Sequence, residues 1–327
     1  MGTPPSAGKS FEKRFVDVNA FFPSTTTIHR GDSVRFLPVG FHTLDLPATG
    51  GQPIPLITPQ GSQVVTGAVD AAGAPFWFNN QPLLSFNLPA LAPAGFGKTF
   101  TYTGARGVES GLPLINKPKP VTVKFAKTGT FTYFCDVHPG MKATVRVLGK
   151  TKHVPSARAH ARSIRHQIAL DLVRSKNLSK AKPPANTVNV GVAGKGGTEY
   201  FGMVPAKSTV PVGTTLTFRM SPGTYETHTA TFGPGDINKP SSYIGKIAAS
   251  FEGPVISPLA IYPSDPPGTV ASLSPTLHGN GFWNSGAMDQ VAASPPPAAN
   301  QVTFSTPGTY TFHCLIHTFM KGTVVVQ

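Results

Sequence analysis

The feature that most constrains this chain is a loop that occurs twice. Residues 128–147 and 307–326 align without gaps, and Gly, Thr, Cys, His, Met and Lys recur in register. Each copy carries the spacing Cys-x-x-His-x-x-Met, and the residues concerned are Cys135, His138, Met141, Cys314, His317 and Met320. The copies lie much further apart than the roughly 20–50 residues of a solenoid repeat. The pattern therefore predicts two duplicated domains.

A second pair of matching segments lies upstream of each loop. Each has a Gly turn, at Gly31 or Gly213, then an alternating apolar strand and a short loop. A histidine, His42 or His228, then opens the next strand. Period-two alternation is typical of strands with one buried face. Each half therefore supplies one distant histidine for its own cysteine loop.

Composition favours an all-β fold. The chain has 327 residues, of which 13% are charged, with 34 Gly and 34 Pro. This length suggests about two domains, and sparse charge with many turn residues suggests short strands. Alternation at Val121, Val123 and Phe125 agrees with a β-sandwich in each half. We predict a first domain over residues 1–150 and a second over 183–327.

Residues 151–182 are predicted to be a helical linker. From about Ser156 to Lys180 there is no Gly or Pro, and Pro183 and Pro184 follow. Ala161, Ile164, Ile168 and Leu172 fall at helical spacing, while another face carries Arg158, Arg162 and Arg165. The main interpretation is that the apolar stripe packs on a sandwich. The alternative is a docking face for an acidic partner or a membrane surface.

The donor set of each loop indicates copper. A thiolate, an imidazole and a thioether together favour copper over magnesium, calcium or manganese. One more imidazole, from His42 or His228, completes a Cys-His-His plane with a weak axial Met. Zinc is the nearest rival, but structural zinc takes several Cys or His ligands. The remaining alternative is a buried structural cysteine beside a surface histidine.

Around these residues the sequence resembles the cupredoxin family. The segment from Tyr310 to Val324 looks like the short-loop amicyanin type, and the Gly-Asp-x-Val-x-Phe strand before His42 looks like the plastocyanin and amicyanin pattern. The resemblance implies two tandem Greek-key β-sandwiches, one type 1 (blue) copper in each and one-electron transfer. It also implies that His138 and His317 present a ring edge as the electron port.

The sequence departs from this family in its neighbouring residues. Thr43 and Thr229 stand where related small cupredoxins often carry Asn, and Thr can still hydrogen-bond across to the cysteine loop. Asp136 follows the first cysteine, whereas Leu315 follows the second. We therefore expect the two coppers to differ in potential.

Enzymatic alternatives within two-domain cupredoxins stay open but secondary. A laccase-type cluster needs His-x-His pairs and a His-Cys-His motif, which this chain lacks. Asp45 stands at the place of the catalytic Asp of copper nitrite reductases, but Pro47 and Phe134 stand where type 2 copper histidines would be. His313 precedes the second cysteine instead. An additional type 2 copper, or copper storage and delivery, are the alternative functions.

Two long Gly/Pro-rich insertions, at about 47–120 and 233–300, carry similar aromatic patches. They are Phe76-Trp77-Phe78-Asn79 and Phe282-Trp283-Asn284. We interpret them as core or lid packing. Shielding of copper, or a contact with a partner, is the alternative.

The net charge of the chain indicates which kinds of partner are expected. We interpret the formal net charge of +14 first as general surface charge that aids solubility; the alternative is an anionic partner, such as an acidic redox protein, and a peripheral membrane contact through the linker helix stays open. There is no nucleic-acid-binding motif, and no apolar run approaches the roughly 18 residues of a membrane span. We expect an extracytoplasmic protein, in the periplasm or at the cell surface, whose leader has been removed before Met1. The oligomeric state does not follow from the sequence.

Overall fold

The computed structural model describes residues 2–290 and 297–327, and the chain forms two compact units. The first comprises Met1–Leu56, Asn87–Lys176 and Gly194–Glu199. The second comprises Ile57–Phe86, Asn177–Ala193 and Tyr200–Gln327. Most of the regular structure is β-strand, as the alternating sequence predicts.

The strands are short and follow one another along the whole chain. In chain order they are β1 (Val16–Val18), β2 (Thr25–His29), β3 (Ser33–Phe36), β4 (Asp45–Leu46), β5 (Ile57–Val64), β6 (Pro82–Phe86), β7 (Thr99–Tyr102), β8 (Val108–Glu109), β9 (Val121–Phe125), β10 (Gly129–Phe134), β11 (Lys142–Leu148), β12 (Thr187–Ala193), β13 (Thr198–Val204), β14 (Lys207–Val210), β15 (Thr215–Arg219), β16 (Thr231–Phe232), β17 (Ala271–Leu273), β18 (Trp283–Asn284), β19 (Ala299–Phe304), β20 (Gly308–His313) and β21 (Lys321–Val326).

Helices are few. The α-helices are α1 (Pro5–Glu12), α2 (Leu88–Leu91), α3 (Ala157–Arg174), α4 (Tyr243–Ala249) and α5 (Pro258–Ile261). Short 3₁₀ turns cover Ser175–Lys180, Lys195–Gly197, Ser250–Glu252 and Leu277–Gly279. Within the described residues, none of these helices has the length and apolar content needed to span a bilayer.

The first unit is a sandwich of two sheets. One has the order β2-β11-β10-β4-β8 and the other β3-β9-β7. Aromatic rings join the two layers: Phe36 of β3 lies 5.1 Å from Tyr133 of β10, and Tyr102 of β7 lies 5.2 Å from Phe131 of β10. The alternating strand β9 buries Val121, Val123 and Phe125 between the layers, as its pattern predicts.

The second unit repeats this architecture. One sheet has the order β14-β21-β20-β16-β18, and a facing sheet contains β12-β15-β19-β17. Phe218 of β15 lies 5.7 Å from Phe232 of β16 and 5.0 Å from Phe312 of β20, so aromatic rings again link the layers. The predicted all-β class, with a β-sandwich in each half, is confirmed.

Strand register is duplicated along with the sequence. In the first unit Asp45 of β4 pairs with Phe134 of β10 on one side and with Glu109 of β8 on the other. In the second unit Thr231 of β16 occupies the same place, between His313 of β20 and Asn284 of β18. The two units can therefore be compared position by position.

Residues 57–86 pack within the second unit, although they precede the first cysteine loop in sequence. Strands β5 and β6 form a hairpin, and the chain between them buries Phe76 and Phe78 in a core with Ile261 and Phe282. Phe78 stacks on Tyr262 at 5.6 Å. The aromatic patches are core residues, as the main interpretation of the sequence held.

The helix predicted within residues 151–182 is present as α3. Ser156 caps it by accepting a hydrogen bond from the Ala159 N–H. Arg158, Arg162 and Arg165 are exposed, whereas Ile164, Ile168 and Leu172 of the apolar stripe are half-buried. Asp171, the one acidic residue of α3, is buried and ion-paired to Arg174 at 2.8 Å.

We predict that Phe78→Ala destabilises the second unit by about 3–5 kcal/mol, because it removes a fully buried ring and leaves a cavity. Both tryptophans of the chain, Trp77 and Trp283, lie in this unit, so urea unfolding followed by tryptophan fluorescence reports on it alone. Val69→Ala, at a side chain that is 53% exposed, is the matched control and should change stability by less than about 0.5 kcal/mol. Equal losses for the two variants would contradict the core role of Phe78.

Candidate metal centre

The first unit brings Cys135, His42 and His138 into one buried cluster. The Cys135 Sγ lies 3.4 Å from the His138 Nδ1 and 3.8 Å from the His42 Nδ1. The two Nδ1 atoms face each other at 3.0 Å. All three side chains are buried.

The second unit forms the same cluster from Cys314, His228 and His317. The Cys314 Sγ lies 3.8 Å from both the His228 Nδ1 and the His317 Nδ1, and the two nitrogens are 3.0 Å apart. Residues 86 positions apart in sequence are thus in direct contact.

These distances suit three ligands of one metal ion. In a trigonal plane with metal–nitrogen bonds of about 2.0–2.1 Å and a metal–sulfur bond of about 2.3 Å, sulfur and nitrogen are about 3.8 Å apart. Three of the four sulfur–nitrogen distances are 3.8 Å. The side chains therefore lie where one small ion can contact all three donors of a unit.

The methionines complete each loop. In the first unit the Cys135 N–H donates to the Met141 carbonyl at 3.0 Å, and the Met141 N–H donates to the His138 carbonyl at 2.8 Å. The second unit repeats both bonds at Cys314, Met320 and His317. Met141 and Met320 are both buried. The loop is thereby held as a compact turn with its soft donor inside the unit.

In both units a β-sandwich brings one Cys, two His and a loop closed by Met together. This happens at the end of β10 in the first unit and at the end of β20 in the second, and the combination identifies the fold. The fold is cupredoxin-like. No protein-family model matches the chain, and no curated protein matches it either.

Solved structures include cupredoxins that align with part of this chain. A variant of amicyanin in its reduced copper(I) form is 19% identical and covers 46% of this chain and 89% of its own, with a TM-score of 0.25. A purple cupredoxin from Nitrosopumilus maritimus is 16% identical and covers 43% of this chain and 98% of its own, with a TM-score of 0.22.

Backbone amides point at the sulfur in both cupredoxin-like units. The Thr43 N–H donates to the Cys135 Sγ at 3.4 Å, and the Thr229 N–H donates to the Cys314 Sγ at the same distance. Burial alone raises the pKa of each thiol, but the neighbouring histidines and amides outweigh it. The pKa of Cys135 is lowered, and that of Cys314 is lowered well below its ordinary value. Both cysteines are thus favoured as thiolates, the form that binds metals.

The two threonines hold the cysteine loops. The Asp136 N–H donates to the Thr43 Oγ1 at 2.8 Å, and the Leu315 N–H donates to the Thr229 Oγ1 at 2.8 Å. The predicted hydrogen bond from Thr across to the loop is therefore confirmed in both units. It fixes the residue after each cysteine relative to the histidine strand.

The two clusters differ in what surrounds the histidines. In the first unit the backbone of Gly2 lies against the His42 ring, and His138 is buried. In the second, the His317 side chain is 22% exposed, and its Nε2 lies 3.8 Å from the Glu226 carboxylate. Phe201 packs on the His317 ring at 5.0 Å between centroids, and Phe319 is 62% exposed beside it. The second cluster is the more open one.

Asp45 and Asp136 belong to a cluster that also contains Glu109, a residue the sequence analysis does not identify. One carboxylate oxygen from each lies within 4.8 Å of the others. Burial, then the Asp136 charge, raises the pKa of Glu109 to about 10, and burial, then the Asp45 charge, raises that of Asp136 to about 8. Glu109 sits on the two-residue strand β8, which is too short to show a periodic pattern.

His313, noted for its place before the second cysteine, lies at the end of β20 and pairs with Thr231 of β16. Its Nδ1 is buried and has no hydrogen-bond partner among the described residues. Burial, then the Lys321 charge, lowers its pKa. Both effects favour the neutral imidazole.

We predict that the metal-free protein loses stability as the pH rises from about 5 to 9, because folded Glu109, with a pKa of about 10, keeps a proton that the unfolded chain releases near its ordinary pKa of 4.5. Glu109→Gln removes the Glu109 part of this dependence and leaves the part due to Asp136, whose pKa is about 8, so the variant gains on the wild type as the pH rises. Urea unfolding in chelator buffer at several pH values, followed by circular dichroism, measures the difference. Glu12→Gln, at an exposed acid, is the control, and parallel profiles for Glu109→Gln and the wild type would contradict the prediction.

Proposed function

We propose that this chain is a one-electron transfer protein that binds one type 1 copper ion in each unit. The observation that carries the proposal is the pair of buried clusters, each with a cysteine sulfur and two histidine Nδ1 atoms within 3.8 Å of one another.

Each unit supplies four of the proposed copper ligands. They are His42, Cys135, His138 and Met141 in the first, and His228, Cys314, His317 and Met320 in the second. Thiolate and thioether are soft donors and imidazole is intermediate, which suits copper and not calcium or magnesium. When bound, copper supplies a one-electron couple between its +1 and +2 states.

The protein's own contribution is a donor set that is held in place. The cysteine loop is closed by two backbone hydrogen bonds, and a threonine hydroxyl fixes the following residue. Burial of both cysteines and both methionines keeps water away from the sulfur donors. Such a site changes little when the metal charge changes by one, which favours electron transfer over storage or delivery.

The second unit is the proposed point of electron exchange. His317 is partly exposed, and the exposed Phe319 ring lies 6.2 Å from it, whereas His138 of the first unit is buried. The formal net charge of +14 favours an acidic redox partner at long range. We propose an extracytoplasmic location, where such carriers work.

We predict that Cys135→Ser and Cys314→Ser each lower bound copper from two ions per chain to one and remove about half of the intense thiolate-to-copper absorption, because each thiolate serves one site. The double variant should show no such band. His153→Ala, at an exposed histidine outside both clusters, should keep both ions. Copper analysis and visible absorption of the purified chain measure these outcomes.

The same samples separate the alternative functions. A reversible one-electron wave in voltammetry with slow copper exchange supports the carrier. Turnover of nitrite together with more than two coppers per chain would instead support a reductase with an additional type 2 copper. Rapid copper exchange without a reversible wave would support storage or delivery. Wild-type protein without the thiolate band would overturn the proposal.

A further inference from the structure

Three carboxylates of the first unit converge beside the cysteine loop. Asp45 lies on β4, Glu109 is its partner on β8, and Asp136 directly follows Cys135. Asp45 and Asp136 are 4% and 8% exposed. Since one oxygen from each of the three lies within 4.8 Å of the others, the strand register itself brings the acids together.

Each carboxylate accepts a hydrogen bond from a protein N–H or O–H group through one of its oxygens. The Asp45 Oδ2 accepts from the Ile54 N–H at 2.7 Å, and the Glu109 Oε1 accepts from the Gly111 N–H at 2.8 Å. The Asp136 Oδ2 accepts from the Thr43 hydroxyl at 2.9 Å. These bonds fix the three groups in orientation.

Two of the other carboxylate oxygens have no protein partner outside the acid cluster. The Glu109 Oε2 and the Asp136 Oδ1 are buried, and neither accepts a hydrogen bond from a residue other than the three acids within the described part of the chain. No Lys, Arg or His among the described residues forms an ion pair with any of the three acids. Without a cation, these buried oxygens are satisfied only by protons that the acids share with one another, and a bound cation can take the place of those protons.

The second unit shows that the fold does not require these acids. Thr231 and Asn284 occupy the places of Asp45 and Glu109 in the duplicated register, and Leu315 occupies that of Asp136. The Thr231 hydroxyl donates to the Asn284 Oδ1 at 2.7 Å, so this set is neutral and satisfied. Three carboxylates at the matching places are thus specific to the first unit.

We propose that Asp45, Glu109 and Asp136 bind one hard divalent cation of the calcium class, in addition to the copper sites. Calcium binds carboxylate oxygens at about 2.3–2.6 Å, so oxygens that all lie within 4.8 Å of one another can reach one such ion. Magnesium is disfavoured because it dehydrates reluctantly and usually keeps several waters, whereas Asp45 and Asp136 are buried. The cation ties β4 and β8 to the cysteine loop and neutralises the buried acids.

The test is a calcium titration of the full-length chain after removal of divalent ions with a chelating resin, followed by calorimetry and thermal unfolding. We expect one calcium per chain, a rise in Tm with calcium concentration, and weaker binding of magnesium. Glu109→Gln, which touches no proposed copper ligand, should weaken calcium binding at least about tenfold because it removes one charged ligand. Glu12→Gln should bind like the wild type.

A second variant keeps the test independent of misfolding. Asp45→Thr, Glu109→Asn and Asp136→Leu together install the neutral set of the second unit, and the triple variant should fold but not bind calcium. No saturable calcium binding by the wild type, or equal binding by Glu109→Gln and the wild type, would overturn the proposal. Because calcium is counted separately from copper absorption, either result leaves the copper proposal to its own test.

Discussion

The register between the cysteine strand and the histidine strand is the constraint on which the rest of the molecule depends. Pairing of Phe134 with Asp45 places Cys135 beside Thr43, whose N–H then reaches the sulfur and whose neighbour His42 reaches the same centre. Because side chains alternate along a strand, a slip of one residue would turn these groups to opposite faces. Aromatic side chains packed between the two sheets of each unit hold that register. The packing of each sandwich therefore also fixes the geometry of its donor atoms.

The two units share this strand register and donor set, but the polar residues around the donors differ. The first unit carries a buried carboxylate cluster behind its cysteine loop, and its histidines are covered. The second has a neutral Thr231–Asn284 pair there, with Glu226 beside the more open His317. Charges this close to a donor set change the electrostatic potential at the donor atoms. The two units therefore have the same ligand geometry in different electrostatic surroundings.

Sequence reasoning identified the local features and missed those set by distant contacts. The repeated loops, the alternating strands and the helix α3 each leave a pattern within some twenty residues, and all three are present. Glu109 leaves none, because β8 has two residues and pairs with a strand more than sixty positions away. The sequence likewise does not predict that residues 57–86 pack in the second unit. Phe76 and Phe78 are expected to be buried from their apolar character alone, and that character does not specify which core buries them.

The sequence by itself determined which atoms are available as donors, since a Cys, a His and a Met at fixed spacing on one loop are set by covalent connectivity. It also determined the all-β class, because period-two alternation can bury only one face of a strand. Only the tertiary structure decided how exposed each imidazole is, and that three acids far apart in the chain share one buried place. Those outcomes depend on strand pairing and burial, which are properties of the whole fold and not of any single segment.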